Sequence, residues 1–329
     1  MNIEIAEILT KLETASFNEL SLTIDELKKL ENINWEGLLR LFSITNKIRN
    51  DFFGNKIEFC SIINAKSGLC PEDCSFCSQS SVSKATIKKY PLLSVNEVVA
   101  KAVEMEKNGV SRFSVVTSGT AISSKQEQKR MLEYIEEIKN KTSLKIDASL
   151  GNVSKKFLKE MKDAGLSRVH NNLETAKSFF PNITTTHTQD DKYKTIYSAK
   201  EVGLEVCSGG IIGLGESFSQ RIELAFQLKE LAVDSIPINF LTPIKGTPLE
   251  GKNYINSFDG LLTIVLFRLI MPDKHIIIAG GREYLLKELH SLIYFAGASG
   301  VMVGNYLTTL GRTPRSDIEL IKELSLDLL

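Results

Sequence analysis

Three cysteines that lie close together in the sequence, Cys70, Cys74 and Cys77, are the residues best suited to carry chemistry. Their Cx3Cx2C spacing lets one short loop present all three thiolates. Three thiolates can bind three irons of a cubane iron–sulfur cluster and leave the fourth iron open to a substrate or cofactor. Two alternatives remain: cysteines clustered by chance, and a structural zinc site, which usually takes four ligands, commonly in two CxxC pairs. The sequence contains no second pair of this kind.

The other cysteines and the first residues of the chain indicate its compartment. The total of five cysteines is odd, which argues against a disulfide framework. Residues Met1–Ile5 include an acid and do not resemble a signal peptide. The most apolar window, Leu261–Met271, is too short to span a bilayer and contains Arg268. We therefore expect a soluble, cytoplasmic protein with no membrane partner and with reduced thiols.

The charge balance argues against one class of partner. Lys and Arg together number 40, as do Asp and Glu, so the formal net charge is +0. Nucleic-acid-binding domains usually carry a basic excess, so we expect no nucleic-acid partner. Local basic runs such as Lys88-Lys89 are interpreted as solvated helix faces. Apolar residues make up 43% of the chain, enough for a large core.

Strand-like and helix-like segments alternate after about residue 50. Eight apolar runs of strand length alternate with helical patterns, which is typical of a parallel β/α architecture. Eight units favour a closed (β/α)8 barrel of the TIM type over an open doubly wound sheet. The predicted strands are Ile57–Ile63, Arg112–Thr117, Leu144–Leu150, Arg168–Leu173, Glu205–Ile212, Ser235–Leu241, His275–Ala279 and Gly300–Val303.

Apolar residues at helical spacing predict the helices. Residues 1–50 form a predicted N-terminal helical extension, and residues 51–329 form the barrel. The helices predicted within the barrel are Val95–Asn108, Gln126–Asn140, Lys155–Ala164, Lys192–Val202, Ser219–Leu231, Phe258–Ile270, Glu283–Phe295 and Ile318–Leu328. The cysteine loop follows the first strand. It should therefore lie at the C-terminal face of the barrel, where active sites collect.

The Cx3Cx2C spacing, with the aromatic Phe76 before the last cysteine, resembles the signature of the radical S-adenosylmethionine (SAM) superfamily. This resemblance implies a [4Fe-4S] cluster on Cys70, Cys74 and Cys77, with SAM bound to the open iron. It also implies cleavage of SAM to a 5′-deoxyadenosyl radical that abstracts hydrogen from a substrate.

Residues 55 to 325 also resemble one family within that superfamily, the biotin synthases. These enzymes use two SAM cleavages to insert sulfur between C6 and C9 of dethiobiotin. The segments that carry the resemblance are Lys66–Cys74, Asn171–Thr175, Cys207–Glu216, Ile236–Asn239, Lys245–Leu249 and Ala279–Glu283.

The resemblance implies contacts of SAM with two charged residues and a glycine-rich strand. Glu174 would contact the ribose hydroxyls. Lys192 stands where the family has an arginine near the SAM carboxylate, so it supplies charge without the bidentate fork. Gly209, Ile211 and Gly213 belong to a strand end at which backbone can approach a flat ligand closely. The alternative for these glycines is an ordinary strand-to-helix turn.

The resemblance also implies two contacts with the substrate. Asn172 and Asn239 would contact the dethiobiotin ureido ring, because an amide both donates and accepts hydrogen bonds. Their alternative role is to satisfy nearby backbone groups.

The chain departs from the family at a second cluster. Biotin synthases usually hold a [2Fe-2S] cluster, regarded as the sulfur donor, on three cysteines and an arginine. The resemblance assigns Cys207 and Arg282 to this set, but Ser114 and Asp147 stand at the other two positions.

Cys60 lies where the family usually has serine, on a strand whose alternate side chains face the barrel interior. We hypothesise an altered auxiliary cluster whose type the sequence does not fix, a cluster larger than [2Fe-2S] being one option. It would be held by Cys60, Cys207 and Arg282, with Asp147 or His170 as a further ligand. The alternative is that both cysteines are inert core residues.

Three functions are thus weighed. The first is sulfur insertion into dethiobiotin by a catalytic set of Cys70, Cys74, Cys77, Cys207 and Arg282. The second is a related radical SAM enzyme without sulfur insertion, such as a hydrogenase maturase or a mutase. The third, an iron–sulfur sensor or electron carrier, needs neither an open iron nor a complete barrel. The family also implies a flavodoxin or ferredoxin as reductant and a homodimer.

Overall fold

The computed structural model describes residues 3–14 and 22–329, and within them eight parallel strands close into a barrel. Neighbouring strands pair in the order β1-β2-β3-β4-β5-β7-β8-β9, and β9 returns to β1. The predicted (β/α)8 fold is therefore confirmed. The barrel strands are β1 (Lys56–Lys66), β2 (Arg112–Thr117), β3 (Lys145–Ser149), β4 (Arg168–His170), β5 (Glu205–Cys207), β7 (Ser235–Phe240), β8 (His275–Ile278) and β9 (Gly300–Met302).

Two further short strands extend this sheet. The predicted strand Glu205–Ile212 is interrupted at Ser208-Gly209, and its second half, β6 (Gly210–Ile212), pairs with β7 and forms a parallel bridge with Glu174. The last strand, β10 (Asp327–Leu328), pairs in parallel with the first residues of β1.

Helices surround the barrel and precede its first strand. Their starts follow from side-chain caps: Ser94 and Glu97, for example, form a reciprocal capping box at the first barrel helix. The helices are α1 (Ile3–Thr14), α2 (Ile24–Lys29), α3 (Trp35–Phe53), α4 (Val95–Lys107), α5 (Lys125–Lys141), α6 (Lys155–Ala164), α7 (Gln189–Glu201), α8 (Phe218–Glu230), α9 (Ser257–Ile270), α10 (Arg282–Leu286) and α11 (Pro314–Glu323).

Two helix predictions near the C-terminus were wrong in extent. The segment predicted as one helix over Glu283–Phe295 is the short α10 followed by a 3-10 helix, Lys287–Ile293, because Lys287 adopts a left-handed φ of 49°. The last helix ends at Glu323 rather than continuing to Leu328. Ser325 then turns with a φ of 55°, which sends the chain into β10.

The helices before β1 pack against the far end of the barrel helices. Helix α3 lies against α9, and α2 lies against α8. The Thr45 hydroxyl donates to the carbonyl of Phe295 at 2.9 Å. Over the described ranges, no helix is both long enough and apolar enough to cross a membrane.

Candidate active site

The cysteine loop leaves the C-terminal end of β1, as the sequence predicts. The amide of Cys77 donates to the carbonyl of Cys74 at 3.1 Å, and Ser80 donates to Cys77 at 3.2 Å, so two successive turns bring the thiols together. Burial raises the pKa of Cys74 to about 12 and that of Cys77 to about 11, and the negative charge of Glu174 adds to both shifts. Bound iron, a concentrated positive charge, would reverse this effect and favour thiolates. Three half-buried thiols on one loop fit a cubane cluster with an open iron.

Asp73, between the first two cysteines, ties this loop to the segment Ile183–His187. Its carboxylate accepts hydrogen bonds from the Thr184 hydroxyl at 2.6 Å and from the Thr185 amide at 2.9 Å. Burial alone would raise the pKa of Asp73, but these hydrogen bonds lower it well below its usual range. The carboxylate therefore stays charged and holds the loop to the segment that precedes α7.

Glu72 makes a second tie to the same segment. His187 Nδ1 lies 2.7 Å from Glu72 Oε2, and both side chains are 13% exposed. The hydroxyls of Thr120 and Thr186 also donate to Glu72. Sequence reasoning missed these anchors, although two acids between metal-binding cysteines were a visible signal.

Glu174 and Lys192, the predicted contacts of SAM, lie together beside the cysteine loop. Their Oε1 and Nζ atoms are 3.9 Å apart, and both groups influence the pKa of the Cys74 thiol. Burial raises the pKa of Glu174, while Lys192 and a hydrogen bond from Asn172 oppose that shift. The site thus pairs an acid with a cation next to the cysteine loop.

The backbone at Glu174 is strained. This residue has a left-handed φ of 69°, which costs a non-glycine residue about 1 kcal/mol or more. Two hydrogen bonds hold it there: its amide donates to Gly209 O at 3.1 Å, and Ile211 N donates to its carbonyl at 2.7 Å. A backbone held off its preferred region aims the Glu174 side chain toward the cluster loop.

The glycines of the predicted SAM strand serve close packing between strands. A Cβ on Gly209 would lie 2.0 Å from the carbonyl oxygen of Pro237, and one on Gly210 would lie 2.5 Å from that of Glu174. Gly213 has a φ of 96° and donates its amide to Glu216. Close packing against Pro237 therefore explains why position 209 is a glycine, without a bound ligand.

Ile211 belongs to a small apolar cluster at the mouth of the barrel. This cluster includes Leu214 and, from the cysteine loop, Phe76. An apolar surface beside three thiols could receive a flat, weakly polar ring.

A cavity of about 240 Å³ opens into the barrel and is lined by residues of β1, β2, β3, β4, β7 and β9. Asn172 and Asn239 both line it. Asn172 Oδ1 accepts from the Gly209 amide at 3.2 Å, and Asn239 Oδ1 accepts from Gly280 at 3.0 Å. These amides therefore satisfy backbone groups and also face the cavity. The side chains that line its apolar part belong to Ile62, Val116, Pro237, Ala279 and Met302.

Cys60 and Cys207 face the same interior below this cavity. Cys60 Sγ lies 3.8 Å from Glu58 Oε2, and Cys207 Sγ lies 3.6 Å from the Ser235 hydroxyl. Both thiols are buried. Burial lowers the pKa of Arg168, but nearby groups that include both thiols outweigh burial and raise it. The barrel thus brings the two remaining cysteines toward one another from strands far apart in the sequence.

Histidine and carboxylate groups accompany these thiols. His170 Nε2 lies 3.3 Å from Asp147 Oδ2. Burial lowers the pKa of His170, but Cys207 and Asp147 outweigh burial and raise it to about 10. Burial likewise raises the pKa of Cys207, yet His170 and Arg168 bring it below the ordinary thiol value. A buried thiol with a lowered pKa is a ready metal ligand or nucleophile.

A network of buried ion pairs forms the floor beneath the cysteines. Arg112 donates to Glu58 at 2.9 Å, to Asp147 at 3.0 Å and to Glu205 at 2.8 Å. Arg168 donates to the same Glu205 oxygen at 2.9 Å. Sequence reasoning missed this network, whose signal was a set of charges at the starts of otherwise apolar strands.

Arg282 does not join Cys60 and Cys207 as the sequence comparison implied. It is fully buried at the start of α10, where Asp317 accepts from Nη1 at 3.1 Å and from Nη2 at 2.5 Å. Both terminal nitrogens are therefore engaged by a carboxylate and are not available to iron. The preceding strand, β8, contains no arginine. Asp317 therefore competes with the predicted role of Arg282 as a metal ligand, and that role stays a prediction.

Ser114, at one of the positions where the family has a cysteine, also lines the cavity. Its hydroxyl is buried without a hydrogen-bond partner among the described residues. Such an orphaned group is costly unless a ligand or water satisfies it. Across residues 3–14 and 22–329, no three His, Cys, Asp or Glu side chains converge closely enough to hold a single metal ion.

A closed (β/α)8 barrel with a Cx3Cx2C loop at its C-terminal mouth defines a radical SAM enzyme. The Radical SAM superfamily model matches residues 66–228, and the model of the biotin and thiamin synthesis associated domain matches residues 237–327. The biotin synthase of Geotalea daltonii is 47% identical over 93% of this chain and 93% of its own. That of Pelotomaculum thermopropionicum is 44% identical over 98% and 99%. The chain belongs to the biotin synthase family.

Solved structures of lower identity share the fold. Methylornithine synthase superposes with a TM-score of 0.84 at 21% identity, covering 98% of this chain and 97% of that one. The FeFe-hydrogenase maturase of Carboxydothermus hydrogenoformans gives 0.82 at 17% identity, covering 98% and 78%. The alternative function without sulfur insertion was favoured by the two missing cysteines, at Ser114 and Asp147, and names enzymes of this kind. The much higher identity to biotin synthases decides against it.

Proposed function

We propose that this chain makes biotin from dethiobiotin with sulfur drawn from an altered auxiliary cluster on Cys60 and Cys207. The supporting observation is that the two cysteines outside the loop face one interior, below a cavity lined by Asn172 and Asn239. Sulfur insertion needs a sulfur source, and these are the two thiols beneath that cavity.

Five residues at the mouth hold the cofactors in this proposal. Cys70, Cys74 and Cys77 bind the [4Fe-4S] cluster. The bound cluster and SAM supply a 5′-deoxyadenosyl radical that abstracts hydrogen from the substrate. The Glu174 carboxylate accepts from the ribose hydroxyls, and Lys192 offers its ammonium group to the SAM carboxylate as a point charge.

Asn172 and Asn239 orient the substrate. Each amide oxygen is fixed by a backbone amide, so the direction in which each Nδ2 points is set before the substrate arrives. The apolar side chains around them exclude water from the carbons that lose hydrogen. This arrangement suits a small molecule with a polar ring and an aliphatic chain.

The auxiliary cluster is a substrate in this reaction, because it gives up sulfur. Cys60 and Cys207 anchor it, and the orphaned hydroxyl of Ser114 together with His170 or Asp147 lies on the same wall of the barrel. Arg168 supplies positive charge beneath both thiols. The competing interpretation, two inert core cysteines, leaves the reaction without a sulfur source.

Iron counting tests the second cluster independently of activity. The Cys70/Cys74/Cys77→Ala triple variant should retain iron and sulfide after anaerobic reconstitution. Adding Cys60→Ser and Cys207→Ser should remove what remains. Wild type incubated with SAM, reductant and dethiobiotin should give biotin by mass spectrometry. A triple variant without iron, in a preparation whose wild type yields 5′-deoxyadenosine but no biotin, would contradict the proposal.

The remaining assignments are proposals from the family and from the sequence. We propose a helical extension over residues 1–50 and a barrel domain over 51–329, a homodimer, and a cytoplasmic location. We also propose that a flavodoxin or ferredoxin supplies electrons to the cluster.

A further inference from the structure

The outer side of the cysteine loop presents an exposed apolar surface. Leu69 is 83% exposed and Val82 is 45% exposed. Leu69 also adopts a left-handed φ of 55°, which turns its side chain outward next to Cys70. A cavity of about 310 Å³ lies here, and Cys70 and Pro71 help to line it. A leucine held in solvent at a strained backbone position calls for an explanation.

Three lysines lie on the segment 84–89 next to this surface: Lys84, Lys88 and Lys89, of which Lys89 helps to line the cavity beside Cys70. Contrary to the sequence interpretation, Lys88-Lys89 is not on a helix, since the segment 84–89, the strap, has no helix or strand. All three are exposed, and none forms an ion pair with an acid within residues 3–14 and 22–329. Other surface lysines, such as Lys101 with Glu104, do form such pairs.

The strap that carries these lysines is fixed to the barrel. Lys84 N donates to Gly246 O at 2.7 Å, and the Ser67 hydroxyl donates to the carbonyl of Lys88 at 2.8 Å. The Lys89 side chain packs over Gly68, where a Cβ would lie 2.6 Å from its Cγ. The positive charges are therefore presented in a defined place and do not depend on a mobile loop.

Acidic groups near the strap do not cancel these charges. Glu72 is nearly buried and already bound to His187. On the neighbouring loop, Glu250 accepts a hydrogen bond from Gly246, and the exposed Lys245 beside it offsets its charge. The three lysines thus leave a local positive excess on a chain whose formal net charge is +0.

We propose that this surface, formed by Leu69, Val82, Lys84, Lys88 and Lys89, is the docking site of a small acidic one-electron carrier protein. An apolar centre with a charged rim is the usual anatomy of an interface. Complementary charge would speed the encounter and orient the carrier on Cys70, the cluster cysteine at this surface. For each SAM cleaved, the carrier is oxidised by one electron, which passes through the cluster to SAM. The sulfur–C5′ bond of SAM then breaks and methionine leaves.

The inference rests on the proposed function, so its test must separate the two. The variant is Lys84→Glu/Lys88→Glu/Lys89→Glu. The control reverses three exposed lysines remote from the loop, Lys47→Glu/Lys56→Glu/Lys107→Glu. Release of 5′-deoxyadenosine is measured at low salt with titrated reduced flavodoxin, and separately with dithionite, which needs no docking surface. Iron content and sedimentation are recorded for each protein.

The strap variant should lose about tenfold or more in kcat/KM for flavodoxin while its dithionite-driven rate stays within about twofold. Added salt should shrink the difference, and the control should match wild type. Equal loss with both reductants would overturn the inference, because the lysines would then serve the SAM site or the fold. So would an unchanged flavodoxin rate, or a dimer that the reversal dissociates. Failure of the proposed function would instead abolish turnover in wild type with either reductant.

Discussion

The cysteines at the mouth of the barrel and those in its interior are held by different kinds of interaction. Cys70, Cys74 and Cys77 share one loop, which Asp73 and Glu72 tie to a single neighbouring segment. Cys60 and Cys207 come from separate strands and lie above the buried ion pairs that Arg112 and Arg168 form with Glu58. The mouth can therefore be altered without disturbing the core, whereas the interior site and the stability of the barrel share the same residues.

The largest effect is expected at the mouth. Cys74→Ala removes a ligand of the cluster that initiates the chemistry, so SAM cleavage should fall by about 1,000-fold or more. The urea midpoint of the metal-free protein should barely move, since Cys74 is only half buried. Cys207→Ser serves as the matched control: it should keep SAM cleavage and lose biotin formation. Cleavage by Cys74→Ala near the wild-type rate would erase the distinction between the two sites.

A substitution in the ion-pair network of the floor should mainly lower the stability of the protein. Glu58→Gln breaks a pair whose side chains are both 3% exposed, and a buried pair that loses one partner costs about 3 kcal/mol or more. Urea unfolding of the metal-free protein measures this loss in the free energy of unfolding. Glu201→Gln breaks the exposed pair with Lys155 and should cost less than about 1 kcal/mol. Similar costs for the two variants would show that the floor is not the stabilising element described here.

His187→Ala should weaken the tie between Glu72 and the segment before α7. We expect about a tenfold drop in SAM cleavage per bound iron and faster loss of iron to a chelator, with a stability cost of about 1 kcal/mol. His187→Asn places an amide near the original Nδ1 and should restore part of the SAM cleavage rate and part of the iron retention. His290→Ala, in the 3-10 helix Lys287–Ile293, should change neither. An effect on stability alone would make His187 a purely structural residue.

The smallest effect concerns His275, on the floor side of β8. Burial lowers its pKa below the ordinary histidine value, while Glu58 opposes the shift and Arg168, Arg268 and Arg112 add to it. Below about pH 6.5, the unfolded chain then binds a proton that the folded chain does not. Stability is therefore present above that pH and falls as the pH drops, by at most about 1.4 kcal/mol per unit. His275→Gln should flatten urea stability between pH 7.5 and 5.5, and His290→Gln should not.

The barrel could be predicted because its signals are local. The limits of β2 and of the helix Lys155–Ala164 were predicted as found, since apolar runs and caps mark them directly. The short α10 and the strand β10 could not be predicted. Both depend on left-handed backbone turns at Lys287 and Ser325, which are residue types that do not favour that conformation.

The same division holds for the candidate sites. A linear motif identifies the mouth. The partner of Arg282 could not be predicted, because sequence similarity gives a position along the chain but does not identify Asp317, which binds the side chain of Arg282. The floor network joins charges from several strands, and only closure of the barrel makes them neighbours. The alternation of side chains along the strands predicts that Cys60 and Cys207 face the barrel interior. It does not predict the ion pairs around them.

The left-handed backbone at Glu174 has an evolutionary consequence. Glycine at this position would relieve about 1 kcal/mol of strain while removing the carboxylate. A library selected only for heat resistance should therefore drift toward glycine at position 174, whereas one selected for growth without biotin should retain an acid. Aspartate tolerates the left-handed region better than glutamate does and is the replacement most compatible with both demands. At this residue, the protein is less stable than its own fold allows, and the proposed contact of the carboxylate with SAM is why we expect selection to keep the acid.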